Sequence, residues 1–178
     1  LPCIVGVEGP PALLVGHSMG GQIVGLLAAR YPELVDRVAL MSSSGVLFEE
    51  NEFGAGVLAG ENPFGVANRD ELRRYFSIVF QKPPFVPWPF DEALVQRRRE
   101  DAAFEHRVLE AIGRGVDAFA LERELAAIRA PTLLLWGSED RVIDPSAIAV
   151  FEAGLERCRT VLLNGCGHMP MMERTIDT

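Results

Sequence analysis

The sequence predicts an α/β fold in which about four mostly parallel strands are interrupted by one large helical insertion. Three observations predict it. Short apolar runs of strand length recur at residues 12–16, 35–41, 132–136 and 160–163, each leading into a turn rich in Gly, Ser or Asn. Within each flanking pair of runs a helical pattern stands where a hairpin turn would otherwise be, so those strands need crossovers and pair in parallel. Residues 46–129 then carry helical stretches broken by Gly and Pro, with no strand rhythm at all.

The elements follow in order. Ala12-Leu13-Leu14-Val15-Gly16 reads as a buried strand running into a glycine-rich turn. Ile23, Val24, Leu26, Leu27 and Ala28 recur at helical spacing among Gly20, Gly21 and Gly25, and Tyr31-Pro32 stops that helix. Val35 to Met41 is a second buried strand before Ser42-Ser43-Ser44-Gly45. Within the insertion, Asn68 caps a predicted helix over 69–81, which the proline-rich run from Lys82 to Pro89 ends. Two or three further helices are predicted between Glu92 and Ile128, interrupted at Gly113 and Gly115. Strands return at Thr132–Trp136 and Thr160–Leu163. Between them Asp144-Pro145 opens a helix through Phe151 and Leu155, and the chain stops inside a helical pattern at Met171–Thr178. The expected division is a core from 1–45 and 130–178 and a cap from 46–129, lying over the strands' carboxyl ends where such sheets place their ligands.

Composition narrows the function. With 178 residues, 48% of them hydrophobic and 24% charged, the chain suits one globular domain with a real core. A net charge of −8 leaves no basic stripe, so nucleic acid is not an expected partner. The apolar runs fall far short of the roughly 18 residues that span a bilayer, and Leu1 to Gly9 lacks the charged region of a signal peptide. No membrane-spanning segment is expected, and the cytoplasm is the default compartment. Cys3, Cys158 and Cys166 are odd in number and lack CxxC spacing, so neither disulfides nor a zinc site are expected. His17, His106 and His168 show no metal-ligand rhythm, and no cofactor is expected. Both ends of the chain read as cut, and the sequence carries no signal for an oligomeric state.

The chemistry begins at Gly16-His17-Ser18-Met19-Gly20, a G-x-S-x-G motif placed directly between a predicted strand and a predicted helix. A strand turning so sharply into a helix forces the central residue into a strained conformation, and small neighbours at Gly16 and Gly20 ease the turn. Ser18 is therefore the candidate nucleophile, and the Met19 N–H at the helix start is a candidate oxyanion donor. A serine hydroxyl needs a base that a third group holds in place. The loop after the third strand offers Glu139 and Asp140, with Asp144 further on but engaged in capping; Asp140 is the favoured acid. The loop after the fourth strand, Cys166-Gly167-His168, offers His168 as base. His17 reads as packing and His106 as solvated. Cys166 reads as a bland thiol, because a cysteine nucleophile would leave the Ser18 turn unexplained.

Three segments together, GHSMGG at 16–21, WGSEDRVIDP at 136–145 and GCGHMPMMER at 165–174, resemble the α/β-hydrolase superfamily over essentially the whole chain. Glu61-Asn62-Pro63, Lys82-Pro83-Pro84 and the CGHMPMMER ending look like bacterial cold-active lipases and related monoacylglycerol lipases. The resemblance implies a triad of Ser18, Asp140 and His168, with Met19 giving one oxyanion amide, in the C-terminal part of a hydrolase sheet. The sequence departs from the family's pattern at its start: the strands and the HG-type loop that precede the elbow have no counterpart, and neither has the second oxyanion donor. Leu1 to Pro11 does not read as the usual helix entering the first strand.

The expected activity is hydrolysis of carboxylic esters, lipid-like ones in particular, through an acyl-enzyme on Ser18. Nine of the ten Phe residues fall in 46–129 with Trp88, which suits an acyl chain, although about half of these aromatics are expected to form the cap's own core. The alternatives are a C–C bond hydrolase of ring-fission products with the same triad, and a non-catalytic binding protein of this fold. The isolated chain is expected to be weakly active or inactive.

Overall fold

The structure, a computed structural model, describes residues 11–178, apart from the side chains of Ile112 and Arg114. The readings of Leu1–Gly9, of Cys3 and of most of Leu1–Pro11 lie outside the described residues. Four strands, β1 (Ala12–His17), β2 (Val35–Met41), β3 (Thr132–Gly137) and β4 (Cys158–Leu163), form one sheet in the order β1-β2-β3-β4. Every pair is parallel, with Val15 opposite Ala39, Leu40 opposite Leu134 and Leu134 opposite Thr160. All four strands therefore deliver their carboxyl ends to one edge of the sheet.

β3 is the buried centre. Its alternating side chains Leu134 and Trp136 are fully enclosed, and the Trp136 Nε1–H donates to the Ile143 carbonyl at 3.0 Å. β1 departs from expectation. It was to be buried, yet Leu13 is 64% and Val15 55% exposed, because among the described residues β1 pairs with β2 alone and forms an edge of the sheet.

Helix α1 (Met19–Arg30) packs on β1 and β2 and on a short 3-10 turn, Glu122–Ala127, which also meets helix α5 (Ala147–Gly154). Between β2 and β3 run α2 (Glu52–Leu58), α3 (Arg69–Val79) and α4 (Phe90–Leu109). Asn51 caps α2 by accepting from Gly54 N at 2.7 Å, and Asn68 caps α3 by accepting from Glu71 N at 2.9 Å, as its sequence position predicts. α3 ends at Val79 rather than Gln81, because Phe80 is already extended. Where two or three helices are expected between Glu92 and Ile128, one helix of 20 residues, beginning already at Phe90, runs into a π-type turn, Glu110–Arg114, which Gly115 ends in extended backbone, and the 3-10 turn follows.

Three other boundaries move. β4 begins at Cys158, because the register with β3 pairs Thr132 with Cys158. α5 begins at Ala147, since Asp144 Oδ1 accepts from Ser146 N at 2.8 Å and caps a preceding turn rather than the helix itself. The last helix, α6, is the single turn Pro170–Glu173: Arg174 leaves helical dihedrals while its guanidinium bonds the Asn164 carbonyl and Asp177. Among the described residues no helix is long and apolar enough to cross a membrane.

One apolar cluster joins strands and insertion. Leu40, Leu134, Trp136 and Phe151 share it with Val46, Val79, Phe80, Leu121, Leu125 and Ile128. A smaller cluster of Val66, Leu72 and Val95 lies within the insertion. Phe151 is fully buried with its ring centroid 5.8 Å from that of Trp136, so Phe151→Ala should destabilise the fold by about 3–5 kcal/mol. Urea unfolding followed by tryptophan fluorescence measures this, with the midpoint falling and the slope unchanged.

Candidate active site

Ser18 sits between the end of β1 and the start of α1 with φ 53° and ψ −122°, the left-handed strain expected of a strand turning directly into a helix. Its backbone is held on three sides: Ser18 N donates to Met41 O at 2.9 Å, and Ser18 O accepts from Gly21 N at 2.9 Å and Ser44 N at 3.1 Å. Gly16 is a steric requirement, because a Cβ there would run into the Gly20 carbonyl and the Val24 side chain. Gly20 is not: a Cβ there would meet open space, so only the first of the two glycines expected to ease the turn does so by its size. Met19 opens α1, where first-turn N–H groups have no partner within the helix and face incoming negative charge.

At the same carboxyl edge of the sheet, on the loops after β3 and β4, the Asp140 carboxylate and the His168 imidazole form a buried pair. Nδ1 of His168 lies 2.9 Å from Oδ2 and 3.0 Å from Oδ1, and the two side chains are 0% and 4% exposed respectively. Asp140 Oδ1 also accepts from Val142 N at 2.9 Å and Ile143 N at 3.1 Å, so the position of the carboxylate is fixed from its own loop as well as by the imidazole. Glu139 is exposed on the same loop and Asp144 is occupied by its cap, which separates the three carboxylates the sequence left in contention.

His168 lies on the loop after β4, and that loop folds back over the sheet. A Cβ at Gly137 would collide with the carbonyls of Cys166 and Gly167, so the close pass needs a glycine at the end of β3. The Glu173 carboxylate gathers three backbone amides, Gly167 N at 2.8 Å, Gln81 N at 2.9 Å and Lys82 N at 3.2 Å, tying the loop to the end of α3. His168 N donates to Val79 O at 3.0 Å. None of the hydrogen bonds among the described residues joins Ser18 Oγ to His168. The link between the two segments is His17, whose Nε2 donates to His168 O at 2.6 Å and whose ring lies 4.7 Å from the His168 ring.

The other predicted bystanders fall out clearly. His106 is exposed, 3.8 Å from the Glu110 carboxylate. Cys166 is fully buried, and burial pushes its thiol up to about 11, which keeps it protonated. Ser42 carries no signal in the sequence: it is fully buried at φ 43°, with a hydroxyl that has no hydrogen-bond partner among the described residues.

An apolar cavity of about 280 Å³ has Ser18 and Met19 in its lining, together with Phe48, Phe53, Phe64, Leu109, Phe119, Val142 and Ile143. Four of the nine Phe residues of 46–129 thus face it. From Phe64 the rings continue through Tyr75 and Phe76 to Phe80 at centroid distances of 5.7–5.9 Å, building core rather than lining. Phe85, Trp88 and Phe90 point outward.

Residues 3–177 match the profile of the Alpha/beta hydrolase family. Lipase 3 of Moraxella sp. (strain TA144) is 30% identical over 92% of this chain and 52% of its own length. A monoacylglycerol lipase of Homo sapiens is 29% identical over 94% of this chain and 52% of its own. A crystal structure of a membrane phospholipase A, a bacterial virulence factor, is 38% identical with a TM-score of 0.86, over 95% of this chain and 54% of that one. The chain spans about half the length of the curated relatives it matches.

His17 gives the site a pH signature. Burial, and next the repulsion of a charged His168, lower its pKa from 6.5 to about 4. Between these two values the unfolded chain binds a proton that the folded chain does not, so stability should rise with pH from about 4 to 6.5 and fall on acidification through that window. The contribution is on the order of 3 kcal/mol when complete. Urea midpoints at pH 4.5 and 7 measure it: the difference should shrink in a His17→Phe variant.

Proposed function

The chain belongs to the alpha/beta hydrolase family, and on that premise we propose that the protein is a serine hydrolase of carboxylic esters with lipid-like acyl chains. The observation that carries this reading is the apolar cavity with Ser18 in its lining. Helical residues of 46–129 roof that cavity, and in this reading they are a cap that receives the acyl chain.

The residues perform the reaction in two steps. Ser18 Oγ attacks the ester carbonyl carbon as its proton passes to His168 Nε2. Nδ1–H of His168 donates to Asp140, which orients the ring and stabilises the imidazolium. Negative charge developing on the carbonyl oxygen is met by the Met19 N–H and the positive end of α1. The tetrahedral intermediate collapses, the alcohol leaves with the proton from His168, and water then repeats the sequence to free the acid. An apolar cavity favours a hydrocarbon acyl group, and the relatives are named for acting on lipid esters.

A fluorophosphonate probe should label Ser18, and Ser18→Ala should remove both labelling and ester turnover. An adduct on Ser42 or Ser44 would overturn the assignment, and absence of labelling with intact ligand binding would favour a binding protein. Along a series of saturated esters, kcat/KM should rise by up to about fourfold per methylene, since burying a CH2 is worth about 0.8 kcal/mol. A profile that peaks at acetate, or turnover of ring-fission diketones alone, would contradict the lipid-ester reading.

A further inference from the structure

We infer that His17 is a positioning residue: the hydrogen bond from its Nε2 to the His168 carbonyl holds the base loop in register with the Ser18 elbow. The inference rests on the reading of Ser18 and His168 as nucleophile and base. The problem it answers is one of span. β1 and β4 are separated by β2 and β3, and neighbouring strands lie roughly 4.8 Å apart, so the two carboxyl ends start about 14 Å from one another. The loop after β4 must return across the sheet and stop at the right place.

The backbone of His168 is gripped at both its polar groups. Its N–H goes to Val79 O at 3.0 Å, at the end of α3, and its C=O accepts from His17 at 2.6 Å. The first bond ties the base to the helical insertion. Only the second ties it to the strand that carries the nucleophile. His17 suits that role because its own backbone cannot drift: it is the last residue of β1, paired with Met41 in the sheet, and the next residue is the strained Ser18.

The chemistry of the bond fixes the state of the ring. A carbonyl oxygen has no hydrogen to give, so Nε2 of His17 carries the proton and donates. The ring also lies tilted by 50° against that of His168, leaving the base less room to rotate. Burial keeps His17 neutral down to about pH 4, so no second positive charge opposes the imidazolium that His168 forms in turnover.

The test separates the bond from the packing. His17→Phe keeps an aromatic ring and loses the donor, whereas His17→Gln loses the ring and keeps an amide N–H at similar reach. Turnover of one ester, the rate of fluorophosphonate labelling at Ser18 and thermal unfolding are measured on wild type and both variants. In His17→Phe, kcat and the labelling rate should fall by about 10²-fold with KM nearly unchanged, the size expected for a displacement of about 1 Å between reacting groups. In His17→Gln most of that loss should be recovered. Should His17→Phe lower the folded fraction, His17→Leu against His17→Gln carries the same comparison at matched size. A His17→Phe enzyme with wild-type kcat overturns the inference and, where His17→Gln is impaired, assigns the effect to ring packing; equal loss in both variants also overturns it, because keeping a donor then recovers nothing. With all variants assayed in the full-length protein that carries this chain, a wild type that neither labels nor turns over any ester overturns the hydrolase reading itself, and the inference falls with it.

Discussion

A carboxylate can be buried with an imidazole only when the polar atoms around both are satisfied, and that requirement shapes the carboxyl edge of the sheet. Asp140 meets it with two amides from Val142 and Ile143, which forces a tight turn directly after β3. His168 meets it with backbone bonds to Val79 and His17, which forces the loop after β4 to lie flat across the sheet. Gly137 permits that close pass, and Glu173 gathers the loop's Gly167 amide with two amides from the end of α3. The loops are therefore no free connectors: their course follows from two side chains that cannot be left unpaired away from water.

What the sequence made legible was what short-range physics decides. The Ser18 turn was readable because a glycine before it, a strand behind it and a helix ahead of it all lie within a dozen residues. Asn51 escaped notice although its cap is as local as that of Asn68, because the helix it opens has only seven residues and a weak pattern. The preference for Asp140 over Asp144 rests on Asp144 being already engaged as a cap, and the Asp144 carboxylate does accept from Ser146 N, whereas nothing local in the sequence separates Asp140 from Glu139. The cross-sheet bond of His17 is not legible in the sequence. Its partner is 151 residues away, and nothing in the local pattern distinguishes a strand-end histidine that bonds across the sheet from one that merely packs.

The insertion and the strands do not have separate cores. Val46, Phe80, Leu121, Leu125 and Ile128 enter the same apolar cluster as β2, β3 and α5, and only Val66, Leu72 and Val95 make a small cluster of their own. About half the aromatics are expected to form a core of the insertion, and of the rings from Phe64 to Phe80, Tyr75 and Phe76 pack on both clusters while Phe64 and Phe80 belong with the main one. A cavity wall built from Phe53 and Phe64 is then mechanically continuous with Val79 and Phe80, the residues beside the His168 loop.

The placement of Ser18 at the end of a strand that pairs on one side only, among the described residues, raises the question of what keeps its strained backbone in shape. β1 exposes Leu13 and Val15 and pairs among the described residues only with β2. An unpaired edge of that kind constrains little, and an apolar one invites other strands. The hydrogen bonds of Ser18 show where the constraint comes from: its N–H goes to Met41 and its carbonyl is taken by Gly21 and Ser44, all on α1 or on the β2 side of the turn. Gly16 closes against Gly20 and Val24 of the same helix. The positive φ at Ser18 is thus fixed from one side, by β2 and α1. A partner along the outer edge of β1 would protect the sheet without being needed to form the elbow.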